Sequence, residues 1–210
     1  MSVGRRHNCA HTPTHTGATN PLATNCLKVV YEQKAVQLLA IVAIALYLVP
    51  TGAHLFELPH KLALSPAEYM TVQQIYTGWE LFGIVIATAL LATLANTLLV
   101  RSDRRTFAWS LAAFLALATT QGVFWAFTYP VNVATRFWTI SPGMFEAARR
   151  QWEYSHAASA VLTIVALVAM VFSSLWYQAK RIATVDGRGQ NPAPRPSNSG
   201  RARPASITRL

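Results

Sequence analysis

Four long apolar stretches separated by polar connections set the pattern of this chain. The stretches run over residues 35–56, 77–100, 106–128 and 155–176. A helix needs about 20 mostly apolar residues to cross the hydrocarbon core of a bilayer, and each stretch reaches that length. The pattern therefore predicts four transmembrane helices.

The connections between the stretches indicate how the helices are arranged. The connection between the second and third stretches is only about five residues long, and short connections join antiparallel neighbours. Small residues, alanine above all, allow helices to approach closely. We expect an all-α fold, an integral membrane up-down four-helix bundle over residues 34–181. Tails over residues 1–33 and 182–210 are predicted to be disordered, because the polar and basic C-terminal tail in particular has little apolar surface to bury.

Serine and proline residues predict where helices begin and end in the longer connections. The segment SPAE at 65–68 combines an N-cap serine, a proline at the first helical position and a capping-box glutamate. We expect its helix to run straight into the second span. Ser141 with Pro142 predicts a similar start before the fourth span. Pro59 predicts an end of the first helix, since proline removes a helical hydrogen bond.

The distribution of lysine and arginine predicts the orientation. The chain is 52% hydrophobic, 12% charged and carries a net charge of +10. Most basic residues lie in the two tails and in the short loop 101–105, and cytoplasmic segments are the ones enriched in lysine and arginine. Both termini are therefore predicted to be cytoplasmic, in a multi-pass protein of the plasma membrane. The opposite connections hold Lys61, Arg136, Arg149 and Arg150.

The same distribution bears on the expected partners. A nucleic-acid-binding protein needs its basic residues on a folded face. Here they lie in tails and beside apolar stretches, so we expect no nucleic acid partner. The lipid bilayer is the expected partner, a small lipophilic substrate is a possible one, and an oligomer is compatible with the sequence.

Ionisable residues collect at the outer ends of the predicted spans, while the cytoplasmic halves are almost purely apolar. Glu57 and His60 are three residues apart and so share a helix face, as do Glu153 and His156. Lipid does not solvate such groups, so they should face the bundle interior or a water-filled cavity.

A polar stripe on the helix that enters the second span extends this layer. Its members are Tyr69, Gln73, Tyr76 and Glu80, at spacings of four, three and four residues. Asn132 adds a polar side chain at the end of the third span. All four spans are therefore expected to contribute to one outer layer.

Two Glu-x-x-His pairs raise the question of a metal. In di-iron bundles, two such pairs and two further glutamates hold the metal ions. The match here is partial because the fourth carboxylate is missing, so a mononuclear divalent metal site is the smaller hypothesis. Its candidate ligands are His54, Glu57, His60, Glu153 and His156. His54 and His156 would also suit haem if they faced each other, whereas pairing of all these groups among themselves would make the layer a structural network.

Four segments resemble a family of small four-span membrane proteins that is similar to the anthrone oxygenases of polyketide pathways. They are GAHLFELP at 52–59, YTGWE at 76–80, PVN at 130–132 and RRQWEYSH at 149–156, and the resemblance covers roughly residues 35–180. Some relatives are associated with oxidising an anthrone to an anthraquinone with dioxygen and no evident cofactor.

The resemblance implies a cofactor-independent oxidoreductase acting on a small lipophilic or aromatic substrate at the outer side of the membrane. It makes Glu153 and His156 the catalytic candidates, one of which would act as the base. Four residues would then position the substrate: Trp79, Gln73, Asn132 and Glu80. The alternative is a non-enzymatic scaffold, a partner subunit, or a binder of a small molecule or divalent metal.

Overall fold

The computed structural model describes the backbone of residues 21–189, and the side chains of residue 28 and residues 30–183. Helices make up most of this part of the chain, and it contains no strands. The helices are α1 (Pro21–Ala63), α2 (Pro66–Gln73), α3 (Phe82–Leu99), α4 (Arg104–Val123), α5 (Tyr129–Ala134) and α6 (Phe145–Gly189). A π-helical turn, Phe124–Thr128, joins α4 to α5.

Four helices are long and apolar enough to cross a membrane: Val30–Ala63, Trp79–Leu99, Arg104–Ala134 and Phe145–Ala183. The predicted all-α four-helix membrane bundle is thereby confirmed, and the chain is a multi-pass membrane protein. It divides into two units, Met1–Tyr177 with the bundle and Gln178–Leu210 with the last residues of α6. The predicted tails lie mostly outside the described residues, although α1 already begins at Pro21 and α6 continues to Gly189.

Alanine dominates the core in the middle of the bundle. Each of the four long helices contributes two buried alanines spaced three residues apart: Ala40 and Ala43, Ala89 and Ala92, Ala113 and Ala116, and Ala166 and Ala169. Ile44, Leu117 and Met170 fill the space between them. Because alanine side chains are small, the helix backbones approach closely and gain van der Waals contact where lipid gives no hydrophobic drive.

A buried polar network ties α3, α4 and α6 together beyond this core. The Asn96 amide donates to Ser110 Oγ at 2.8 Å, and the Thr97 and Ser110 hydroxyls share a hydrogen bond of 2.8 Å. Ser173 Oγ donates to the Thr106 carbonyl at 3.1 Å. The sequence predicted that the halves of the spans farther from the ionisable layer are almost purely apolar. This network lies there, so that prediction was wrong. Serine and threonine satisfy their hydroxyls within and between helices, so they interrupt an apolar stretch very little.

Proline does not end α1. The helix passes through Pro50 and Pro59 and continues to Ala63, so the predicted end at Pro59 was wrong. A proline removes one hydrogen bond, but packing against neighbouring helices holds the rest of a membrane helix in place. The last turn of α1 consequently carries Lys61 on the helix.

The connection between α1 and α3 is more broken than predicted. The capping box at Ser65 is confirmed, since Ser65 Oγ accepts from the Glu68 amide and the Glu68 carboxylate accepts from the Ser65 amide. However, α2 ends at Gln73 and does not run straight into the second span. Gly78 has a φ of 90°, which lies in the left-handed region that favours glycine, and two short 3-10 turns flank it. Nor does α6 begin at Ser141; it begins at Phe145.

Candidate functional site

A buried lysine lies at the centre of the predicted polar layer. Lys61 is 3% exposed, and its Nζ lies 2.9 Å from Glu153 Oε1 and 3.6 Å from Glu57 Oε2. The same ammonium donates to Nδ1 of His54 at 3.4 Å. A buried charge requires such partners, because an uncompensated one is strongly destabilising. Lys61 thus links the end of α1 to the start of α6, and this end of the bundle is here called the Lys61 end.

Two tyrosines outside the spans complete the hydrogen bonds of the carboxylates. The Tyr69 hydroxyl donates to Glu153 Oε1 at 2.9 Å, and the Tyr76 hydroxyl donates to Glu57 Oε2. Burial raises the pKa of Tyr69 well above its usual range, and the nearby Glu153 carboxylate raises it further. Burial and the Glu57 carboxylate raise the pKa of Tyr76 in the same way. Both phenols therefore stay protonated and act as donors.

Aromatic rings enclose this charged cluster. The His54 and His156 rings lie 4.2 Å apart between centroids and are tilted by 30°. Trp152 meets both of them edge-on, at 5.0 Å from His54 and 4.2 Å from His156. Trp79 packs against Tyr76 at 4.8 Å. Apolar walls of this kind exclude water and strengthen the ion pairs inside. The two histidine rings contact each other directly, so they do not fit as axial ligands on either side of a haem.

Several buried polar atoms at this end lack a hydrogen-bond partner among the described residues. They are Glu153 Oε2, His156 Nε2, Gln73 Nε2 and Trp138 Nε1. Glu153 is fully buried, and its other oxygen accepts from both Lys61 and Tyr69. Buried polar atoms in proteins are nearly always bonded, so an unpartnered set marks a place for a ligand or water.

Not every predicted site residue joins the cluster. Glu153, His156 and Gln73 do, whereas Asn132 acts through a neighbour, accepting a hydrogen bond of 2.7 Å from Trp152 Nε1. Trp79 is half-buried beside Tyr76 and His54. Glu80 and His60 are exposed. The polar stripe does not reach Glu80 because the helix is broken at Gly78.

The predicted metal ligands are brought only partly together. Within the described residues there is no group of three or more histidine, cysteine, aspartate or glutamate side chains that could hold a metal ion. His60 points away from the cluster, and the ammonium of Lys61 lies between Glu57 and Glu153, where a cation would neutralise both. The geometry provides these carboxylates with a lysine as their counter-ion.

Lys61 is the central residue of this cluster that the sequence pattern did not single out. Because α1 was predicted to end at Pro59, Lys61 was assigned to a loop and used only to predict the orientation in the membrane. The available signal was its position four residues after Glu57, which puts the two on one helix face once α1 is known to pass Pro59. Arg149 is also buried, and it donates to the Leu64 carbonyl at 2.7 Å and to the Glu146 carboxylate at 2.6 Å. It thereby fastens the α1–α2 connection to α6.

The chain was also compared with known proteins. No family model, no curated protein and no solved structure matched it.

Proposed function

We propose that this membrane protein is a cofactor-independent oxidoreductase, similar to the anthrone oxygenases, whose Glu153 removes a proton from a small aromatic substrate. The state of the Glu153 carboxylate supports this. Lys61 and Tyr69 fix Oε1, while the buried Oε2 has no partner among the described residues. A carboxylate fixed at one oxygen and free at the other is well placed to act as a general base.

The reaction needs only dioxygen as oxidant. The methylene group of an anthrone loses a proton to Glu153 Oε2, and the electron pair of the broken C–H bond stays on carbon, conjugated with the ring carbonyl. This carbanion bonds to dioxygen, and the peroxide anion takes the proton back to give a hydroperoxide. The hydroperoxide then loses water. The remaining C–H proton and the terminal hydroxyl group leave, and the carbon–oxygen bond that stays becomes the new carbonyl. Anthrone and dioxygen thus give anthraquinone and water, and dioxygen is reduced.

Neighbouring side chains supply the other needs of such a reaction. The positive charge of Lys61, 2.9 Å from Glu153, would favour a carbanion that develops next to that carboxylate. Gln73 Nε2 is an unpaired buried donor that suits the substrate carbonyl, and the half-buried Trp79 offers a ring face. His156 carries an unpartnered Nε2 one helical turn from Glu153 and suits a relay that accepts the proton from Glu153 and passes a proton on to the peroxide anion. Asn132 positions the Trp152 ring. Glu80 is exposed and receives no role.

Dioxygen uptake by the purified protein tests the proposal. With 1,8-dihydroxyanthrone as substrate, we expect protein-dependent uptake that Glu153→Gln lowers by about 10²–10⁴-fold, the usual contribution of a general base. Glu32→Gln is the matched control, because Glu32 is an exposed glutamate on α1. Absence of protein-dependent uptake, or full uptake by Glu153→Gln, would reject the proposal.

A structural role is the second candidate, favoured by the two ion pairs of Lys61. Glu57, Glu153, Tyr69 and Tyr76 all pair within one network around that lysine. A scaffold or partner subunit needs only this pairing. In that case the wild-type protein would show no uptake above the substrate alone.

We further propose that the Lys61 end faces the outside of the plasma membrane, with both termini in the cytoplasm. The abundance of lysine and arginine in the tails and in the loop 101–105 supports this orientation. A lipophilic substrate would then reach the site from the outer leaflet.

A further inference from the structure

A groove outside the proposed catalytic cluster lies between the π-helical turn and α6. Its volume is about 500 Å³, and its lining includes Val123, Phe127 and Ala158, with Arg150 and Tyr154 among its polar members. These residues of α6 lie on a different face of the helix from Glu153 and His156. Sites for small ligands usually measure about 300–1,000 Å³, so the groove is large enough for one.

Within the part of the chain that the structure describes, Arg150 is the one charged residue that borders this groove, whose own surface is almost wholly apolar. The residue is exposed and has no hydrogen-bond or ion-pair partner among the described residues, and no carboxylate lines the groove. Its neighbour Arg149 differs, since Glu146 and the Leu64 carbonyl hold it. An unpaired guanidinium beside an apolar surface is complementary to an anion that carries an apolar tail. Phosphate fits it best, because the guanidinium donates two parallel hydrogen bonds to it.

The position of the groove along α6 suits such a molecule. Arg150 lies at the start of a membrane-spanning helix, close in sequence to the exposed Tyr154. Aromatic residues of this kind lie at the level of lipid headgroups. Beyond Ala158 the exposed face of α6 continues with Val161 and Val165, which are apolar and point to lipid. A phosphate at Arg150 would therefore have its acyl chain running into the hydrocarbon.

Hydrogen bonds hold the two walls of the groove in place. Gln151 Nε2 donates to the Phe127 carbonyl at 2.9 Å, and the Thr128 and Ser155 hydroxyls share a hydrogen bond of 2.7 Å. The π-helical turn displaces the chain from the regular helical path at this point, and such turns often occur at functional sites. These contacts join the π-helical turn to α6 along the groove.

We propose that the groove binds an anionic phospholipid, with the phosphate on Arg150 and one acyl chain over Val123, Phe127 and Ala158. This site shares no residue with the proposed oxidoreductase site and stands independently of it. It would hold one lipid at a defined position, in addition to the bulk bilayer around the helices.

Native mass spectrometry of the purified full chain tests this site. With equal amounts of phosphatidylglycerol and phosphatidylcholine in the detergent, the wild-type protein should retain one phosphatidylglycerol in preference, because the cationic choline group of phosphatidylcholine offsets the charge of its phosphate and repels Arg150. Arg150→Gln should lower that preference about fivefold, as expected for one arginine at an anionic surface. Arg136→Gln is the control, because Arg136 is exposed and does not line the groove.

A second variant separates the groove from its charge. Ala158→Phe keeps Arg150 but fills part of the groove, so retention of phosphatidylglycerol should fall here too, while Arg150→Lys, which keeps the charge but loses the paired hydrogen bonds, should fall between the wild type and Arg150→Gln. Equal retention of the two lipids by the wild type would overturn the proposal. So would an Arg150→Gln protein that retains phosphatidylglycerol as the wild type does.

Discussion

At the scale of single residues, Lys61 determines how the charged end of the bundle is held. Its buried ammonium contacts carboxylates from two helices, the fully buried Glu153 and the partly exposed Glu57. Removing one partner of a buried ion pair leaves the other charge uncompensated, at a cost of about 3–5 kcal/mol. Removing both partners together costs much less, because no lone charge remains.

The first prediction concerns this asymmetry. Lys61→Met should lower the free energy of unfolding by about 3–5 kcal/mol, because Glu153 would remain buried without its cation. The change in the free energy of unfolding can be measured by titrating the protein with sodium dodecyl sulfate and monitoring its helix content by circular dichroism. Lys34→Met, which changes an exposed lysine of the same helix, should have little effect. If Lys61→Met with Glu153→Gln is no more stable than Lys61→Met alone, the two residues are not coupled as described.

The second prediction concerns the buried phenols and alkaline pH. The pKa values of Tyr69 and Tyr76 are raised above the ordinary value of about 10. A raised pKa in the folded state adds stability that is complete below the unfolded value and is lost as the pH rises toward the folded value. The protein should therefore lose stability above about pH 10.

The ionisation of the tyrosines can be measured by the absorbance of tyrosinate near 295 nm, where neutral tyrosine absorbs little. Of the seven tyrosines in the chain, at least two should resist ionisation in the native protein until it unfolds. Tyr69→Phe should reduce that number by one. If all seven titrate near the ordinary pKa in the folded protein, the phenols are not buried donors.

At the scale of helices and turns, the sequence predicts long apolar segments well and their interruptions poorly. Apolar length predicted all four spans, and the SPAE motif predicted the capping box, because both depend on local residues. The passage of α1 through Pro59 and the break at Gly78 depend on packing between helices, which a sequence pattern does not contain. Because α1 was predicted to end at Pro59, Lys61 was not recognised as part of the cluster. Because the break at Gly78 was not predicted, Glu80 was wrongly included in the polar stripe.

The third prediction concerns the backbone at Gly78. Gly78→Ala should lower the free energy of unfolding by about 1–2 kcal/mol, since an alanine side chain is strained in a left-handed conformation. A Cβ there would meet no atom within 4 Å, so the backbone alone causes the effect. Thermal unfolding in detergent measures it. Gly83→Ala is the control, because Gly83 is helical and also has open space, and it should be neutral or stabilising. Equal effects of the two substitutions would contradict this explanation.

At the scale of the whole molecule, residue order alone predicted that Glu57, Glu153 and His156 lie at one end of an up-down bundle. It did not predict which of them pair, because pairing depends on helix rotation. Only the three-dimensional arrangement shows that His54 contacts His156 and that Asn132 binds Trp152. The polar network around Asn96 was not predicted for the same reason. Whether its amide and the neighbouring hydroxyls bind one another depends on how the helices are rotated, which the sequence pattern does not show.

The fourth prediction concerns orientation in the membrane. In a chain with Cys9 and Cys26 replaced by serine, a cysteine placed at Thr139 should react with a membrane-impermeant maleimide in intact cells. A cysteine placed at Ser102 should react only after the cells are opened, because the loop 101–105 is predicted to be cytoplasmic. The reverse labelling would mean that the Lys61 end faces the cytoplasm.

The ion pair between Lys61 and Glu153 also has a consequence for biosynthesis. The lysine belongs to the first membrane-spanning helix and the glutamate to the last, so the ribosome completes one long before the other. Until α6 has entered the bilayer, α1 must keep its lysine at the headgroup region or beside an insertion factor. Before then, Glu57 on the same helix is the carboxylate that α1 itself offers to the lysine, so a chain truncated before α6 would keep the pairing within α1 and lack the fully buried half of the network.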